Sequence, residues 1–221
     1  MIGDVIKAEK KHYETSREIL SLIGSNLRQP NRAVLAVGGE SGCGKSVTAV
    51  CLQELLAETG TRALILHLDD YFAYPPATNH RRRLDDIGRV GLNEVRMSLL
   101  QAHIDAFRAG ASAITKPLSD YHTDQIVEET LYLSDIRVLI VEGTYSLALK
   151  SVDYRIFLTR NYLETREQRL QRGREIEDEF IERVLAIEHE IIAPFAAQAD
   201  ILIDKSYHVH LQNHAFQDKQ P

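Results

Sequence analysis

The residues best suited to chemistry sit together in residues 33–46, AVLAVGGESGCGKS. From Gly39 to Ser46 the spacing is G-x-x-x-x-G-K-[ST], that of a loop which folds its backbone around phosphate groups. Gly39, Gly42 and Gly44 permit the tight turns that aim successive N–H groups of Glu40, Ser41, Cys43 and Val47 inward. Lys45 would bring an ammonium to the β- and γ-phosphates, and the Ser46 hydroxyl would sit on Mg²⁺. A helix starting near Lys45 adds the positive end of its dipole. Such a loop predicts nucleoside triphosphate binding. Cys43 reads as a small loop residue that happens to carry a thiol.

Three further groups have chemically useful types. Asp69 and Asp70 follow the apolar run RALILHL, and Glu142 follows RVLIV. Phosphoryl transfer needs one carboxylate near the metal and another to orient or deprotonate the attacking hydroxyl. Spacing alone does not choose between Asp69 and Asp70. Arg166, Arg169, Arg172 and Arg174 crowd one short stretch, and the first three share a helix face at i,i+3. Guanidinium groups there could clamp phosphate and close as a lid, or pair with neighbouring glutamates. Arg81 to Arg83 could bind an anionic acceptor or simply face water.

The elements that must position these groups alternate between strand and helix. An opening helix spans 4–27; strand one, 33–38, is followed by a helix from Ser46 to Thr59. Strand two covers 62–68, then a polar loop in which Pro75 and Pro76 are expected to exclude regular structure. Helix 92–109, a short strand 112–116 ended by Pro117 and a polar excursion follow. Strands at 137–141, 154–158 and 200–204 and helices at 162–173 and 176–192 complete the pattern, with a polar tail 206–221 expected to be loosely held. Near-continuous apolar strands separated by helices imply a parallel sheet covered on both faces, with ligands at the carboxyl ends of the strands.

Composition sets the outer limits. The 221 residues suit a single domain, 1–221, and a net charge of -6 argues against a nucleic-acid partner. The charged start has no signal-peptide core, and no window has the length and apolarity of a membrane span, so a cytoplasmic location is expected.

The motifs together resemble the uridine kinase and phosphoribulokinase family of P-loop kinases, over about residues 33–204. GESGCGKS is similar to that family's phosphate loop, LDDYF to its D-x-F-[YH] element, VLIVEG to its [IV]-x-E-G, and TREQRLQRGR to its arginine-bearing lid. The resemblance implies an α/β, three-layer P-loop NTPase fold with a mostly parallel five-stranded sheet, helices on both faces and an Arg-rich lid. It implies ATP and Mg²⁺, with Asp69 as base and also near the metal, and Ser46 and Glu142 as metal ligands. Lys45, Arg169 and Arg172 would act on the transferring group, and Arg166 and Arg174 would hold the nucleotide. Where the family has an acid-rich element after strand two, DDIGRVGLN keeps Asp86 as an acceptor contact. PLSDYH puts Ser119 where uridine kinases have a base-packing tyrosine, with Tyr121 two positions later and the lid shortened. Tyr71, Phe72, Tyr121 and His122 are the expected acceptor contacts. The acceptor implied first is a nucleoside such as uridine or cytidine, then a sugar, sugar phosphate or pantothenate-like molecule; family members are commonly homo-oligomers.

Overall fold

A computed structural model of the chain describes residues 7–27, 32–172 and 178–212. In chain order it runs α1 (Lys10–Leu27), β1 (Ala33–Gly39), α2 (Lys45–Glu58), β2 (Ala63–His67), α3 (Pro76–Asp85) and α4 (Met97–Arg108). Then come β3 (Ala113–Asp120), β4 (Gln125–Tyr132), β5 (Val138–Glu142), β6 (Tyr154–Leu158), α5 (Arg166–Arg172), α6 (Glu179–Ile192), β7 (Ile201–Ile203) and β8 (Val209–Leu211).

Among the described residues six strands form the main sheet, in the order β2-β5-β1-β6-β7-β8. Five are parallel, and β8 pairs antiparallel with β7 at the edge. The apolar strands explain the layers, because alternate residues serve opposite faces. Val34 and Ala36 of β1 join one core with Leu100, Ile104 and Phe107 of α4. Ala33, Leu35 and Val37 join the other with Ile19 and Ile23 of α1 and Leu52 and Leu56 of α2. The sheet is therefore the middle of three layers, as expected.

Four local expectations are corrected. The Pro75–Pro76 stretch is not irregular: Pro76 opens α3, at the position where a missing N–H costs least because it would lack a helical partner. The strand begun near Ala113 continues through Pro117, which pairs with Glu128, and forms a separate β3–β4 ribbon. A proline is tolerated there because each strand has an open edge. The opening helix begins at Lys10, and residues 4–6 of the expected span lie outside the described residues. Beyond Lys205, residues 209–211 are held as β8 through a turn in which Asp204 accepts from the N–H groups of Ser206 and His208.

Candidate active site

Register brings the key groups to one level. Val37 of β1 and His67 of β2 both align with Glu142 of β5, so the loop after β1 and the acids after β2 and β5 emerge at the same carboxyl edge. The loop's shape requires its first glycine. Gly39 has φ 141°, and a Cβ there would lie 2.7 Å from the Leu158 carbonyl oxygen and 2.8 Å from the Cys43 sulfur. Cys43 itself is buried, and burial pushes its thiol pKa up, so it packs as a neutral group. Gly44 precedes α2 with φ 109°, Val47 lies in that helix's first turn, and the Lys45 Nζ donates to the Glu40 carbonyl at 2.8 Å, placing the ammonium over the loop.

The Glu40 side chain turns away from the loop's concave side. Its Oε2 accepts from the Tyr162 N–H at 2.6 Å and its Oε1 meets the His189 Nδ1 at 2.7 Å, tying the loop to the segment before α5 and to α6. Of Glu40, the backbone is what remains for phosphate.

Ser46 Oγ donates to Glu142 Oε1 at 3.3 Å, and the same oxygen meets His67 Nδ1 at 2.6 Å. Burial would depress the His67 pKa, and the hydrogen bond and charge of Glu142 outweigh it, so the net shift is upward. Paired hydroxyl and carboxylate oxygens of this kind fit Mg²⁺, which takes one or two protein oxygens alongside phosphate and water. Glu142 is held in place by Gly143: with φ 152°, a Cβ there would sit 2.4 Å from that of Leu68. His67 was missed in the sequence, although a histidine closing an apolar strand was a usable signal.

Asp69 and Asp70 part company. Residues Leu68–Tyr71 form a 3-10 turn, whose three residues per turn point successive side chains about 120° apart. Asp69 lines a cavity of about 530 Å³ that also reaches Ser41 of the phosphate loop. Asp70 is fully buried, accepting from Lys116 Nζ at 2.7 Å and from the Ser119 N–H at 3.0 Å. It anchors the β3–β4 ribbon and faces no ligand space. Tyr71 is buried as well, its hydroxyl 2.8 Å from His103 Nδ1 in the α4 core, so it is not an acceptor contact.

Phe72 and Tyr121 do line the cavity. Tyr121 is placed by the ribbon's turn, where Asp124 accepts from the Ala77 and Thr78 N–H groups and the Thr78 hydroxyl, clasping the start of α3. His122 is exposed in that turn, its N–H donating to Asp120. Asp86 caps a 3-10 turn by accepting from the Gly88 N–H at 3.0 Å and is exposed, away from the cavity. Neither is among the residues that line the cavity.

The arginines divide too. Arg169 is buried, donates to Thr165 Oγ1 and the Tyr162 carbonyl, and lies against Gly42 of the loop. Arg166 is largely exposed, 3.8 Å from Glu182. The side chain of Arg172 and all of Arg174 lie outside the described residues. In α3, Arg81 reaches Asp124, and Arg82 stacks on Tyr74 with 4.1 Å to the ring centroid. Arg83 is half-buried and held in a fork, its Nε and Nη2 on Glu94 at 2.7 and 2.8 Å and Nη2 on Glu188 at 3.0 Å. The run Arg81 to Arg83 therefore does not face water as a block. Glu94, also bonded by Asn79 and the Gly91 N–H, is a hub with no signature in sequence.

Residues 34–212 match the phosphoribulokinase / uridine kinase family. The chain belongs to that family. It is 31% identical over 196 residues to a bifunctional alpha-galactosidase/sucrose kinase of Mediterraneibacter gnavus, covering 82% of this chain and 21% of that protein. A pantothenate kinase of Mycobacterium sp. (strain KMS) is 30% identical over 142 residues, 62% of this chain and 45% of the relative. The chain thus spans less than half the length of either relative. Its fold is similar to a structure described as a possible uridine kinase from Bacillus stearothermophilus, with TM-score 0.63 and 21% identity over 86% of this chain and 97% of that one. The phosphate loop, the Glu142–Gly143 pair and the Asp69 turn all lie within the matched residues. No helix among the described residues is long and apolar enough to cross a membrane.

Proposed function

We propose that the chain is an ATP-dependent kinase that transfers the γ-phosphoryl group to a hydroxyl of a small metabolite seated beside the loop. One observation carries this reading: Asp69 and Ser41 of the phosphate loop line the same cavity of about 530 Å³. A carboxylate and a triphosphate cradle on one cavity are what in-line transfer to a bound hydroxyl needs.

In this reading the loop's N–H groups hold the β- and γ-phosphates, and Ser46 and Glu142 hold Mg²⁺. The ion, when bound, neutralises charge on the phosphate oxygens. His67 fixes the Glu142 carboxylate. Asp69 accepts the proton of the attacking hydroxyl, and Lys45 stabilises charge on the transferring group. Arg169 positions the loop from above Gly42; for Arg166, Arg172 and Arg174 a role toward the nucleotide rests on the motif alone. Phe72 and Tyr121 bound the acceptor side of the cavity. A nucleoside is one acceptor this supports, through its aromatic walls, and a sugar is another.

ADP release measured with and without a panel of nucleosides, sugars, sugar phosphates and pantothenate tests the reading. Release that rises several-fold with one acceptor and falls at least on the order of 10²-fold in Asp69→Asn supports it. Release that no acceptor stimulates overturns it.

A further inference from the structure

Glu40 is bonded through both its backbone and its side chain. Its carbonyl accepts from Lys45 Nζ at 2.8 Å and from the Cys43 N–H at 3.3 Å. Its buried carboxylate accepts from the Tyr162 N–H at 2.6 Å and meets His189 Nδ1 at 2.7 Å. A carboxylate only accepts, so Nδ1 is the donor. Neither side of that contact belongs to the fixed spacing of the loop. Glu40 is an x of G-x-x-x-x-G-K-[ST], and His189 lies 149 residues further along the chain.

The far end of the contact is a rigid post. Asp178 caps α6 by accepting from the Ile181 N–H at 2.9 Å, and the helix buries Ile181, Val184, Leu185 and Ile192. Glu188, the residue before His189, is tied to Arg83 at 3.0 Å. The His189 ring lies 5.8 Å from that of Tyr162, centroid to centroid. The loop, by contrast, is soft by composition. Gly39, Gly42 and Gly44 all have positive φ, and glycine loses the most backbone freedom on ordering. A loop that must present N–H groups and an ammonium to phosphate gains affinity from being fixed before its ligand arrives. We propose that His189 is a positioning residue of the nucleotide site. Through the Glu40 carboxylate it fixes the residue whose carbonyl holds Lys45, so a side chain on α6 sets where the loop presents its ammonium. This rests on nucleotide binding by the loop, as in the kinase reading above, and adds to it a support that no motif signals.

The test titrates MgATP into the full chain by calorimetry, with thermal unfolding followed on the same samples. His189→Leu nearly keeps the side-chain volume and removes the donor, His189→Asn places an amide nitrogen near the former Nδ1, and Glu40→Gln removes the charge. His189→Leu and Glu40→Gln should each raise the MgATP Kd about tenfold, the scale of one charge-assisted hydrogen bond. The double variant should stay within about twofold of the weaker single one, because both act through one contact. His189→Asn should remain within about threefold of wild type. A histidine that only held α6 to the fold would lower Tm and leave Kd unchanged well below the transition. That result overturns the proposal, as do losses that multiply to about a hundredfold in the double variant, or Leu and Asn variants of equal affinity. Phosphoryl transfer to an acceptor with an unchanged Kd in His189→Leu would overturn it and leave the kinase reading standing. The expected pattern without phosphorylation of any acceptor would uphold it and remove the kinase reading, and a wild-type chain that binds no MgATP would overturn both.

Discussion

Adjacent aspartates with opposite roles make the sharpest test. Asp70 is fully buried, bound by Lys116 Nζ at 2.7 Å and the Ser119 N–H at 3.0 Å, and Lys116 is itself 3% exposed. Asp70→Asn keeps an acceptor for Ser119 but leaves a buried ammonium short of one counter-charge. Removing one member of such a pair costs about 3–5 kcal/mol. Here Lys116 retains Glu129, 3.2 Å away and 38% exposed, so the lower end, about 3 kcal/mol, is expected. For a chain of this size that lowers Tm by roughly 6–12 °C. Adding Lys116→Met should recover more than half of the loss, since it removes the stranded charge. Urea unfolding followed by circular dichroism, with kcat measured well below the transition, separates the outcomes. Asp69→Asn should show the opposite pattern, unchanged stability and a large loss of kcat. If Asp70→Asn keeps its unfolding midpoint while kcat falls about 10²-fold, the division of roles is wrong.

Four further outcomes are expected. Lys45→Ala should lower kcat by at least about 10²-fold with Tm unchanged, since its ammonium is bonded to a loop carbonyl and to no core group; near-normal turnover would remove the phosphate-loop argument. Tyr121→Ala should raise the acceptor KM about tenfold, the scale of one lost aromatic contact, with Tyr121→Phe recovering most of it in steady-state assays. Arg83→Gln should destabilise by about 3 kcal/mol in denaturant titrations by stranding Glu94 and Glu188, whereas Arg81→Gln, a largely exposed pair, should cost under about 1 kcal/mol. Asp204 has its pKa depressed, first by the hydrogen bond to His210 and then by the His208 N–H. A depressed carboxylate stabilises the fold above its unfolded pKa and loses that contribution as pH falls. The Tm gap between wild type and Asp204→Asn should therefore be full at pH 7 and close below about pH 4.

Much of this was legible in the chain because it is set locally. Glycine spacing dictates a phosphate loop through the backbone conformations it permits, and buried runs ending in acids deliver those acids to the edge of a parallel sheet. Glu142 and the pair after β2 needed no tertiary information beyond that. The loop after Pro75 was misread because proline excludes a helix interior but favours a helix start, and only the neighbouring clasp by Asp124 shows which applies. The sequence by itself determined the layered α/β architecture, the nucleotide cradle and the edge where chemistry belongs. Only the tertiary structure decided which of three successive residues does what. A 3-10 turn sends Asp69 to the cavity, Asp70 to the ribbon and Tyr71 to the core, so a shift of one position exchanges cavity acid, anchor and packing residue. It alone also shows that Arg83 bridges Glu94 and Glu188, because charges far apart in sequence pair only once the elements that carry them are packed.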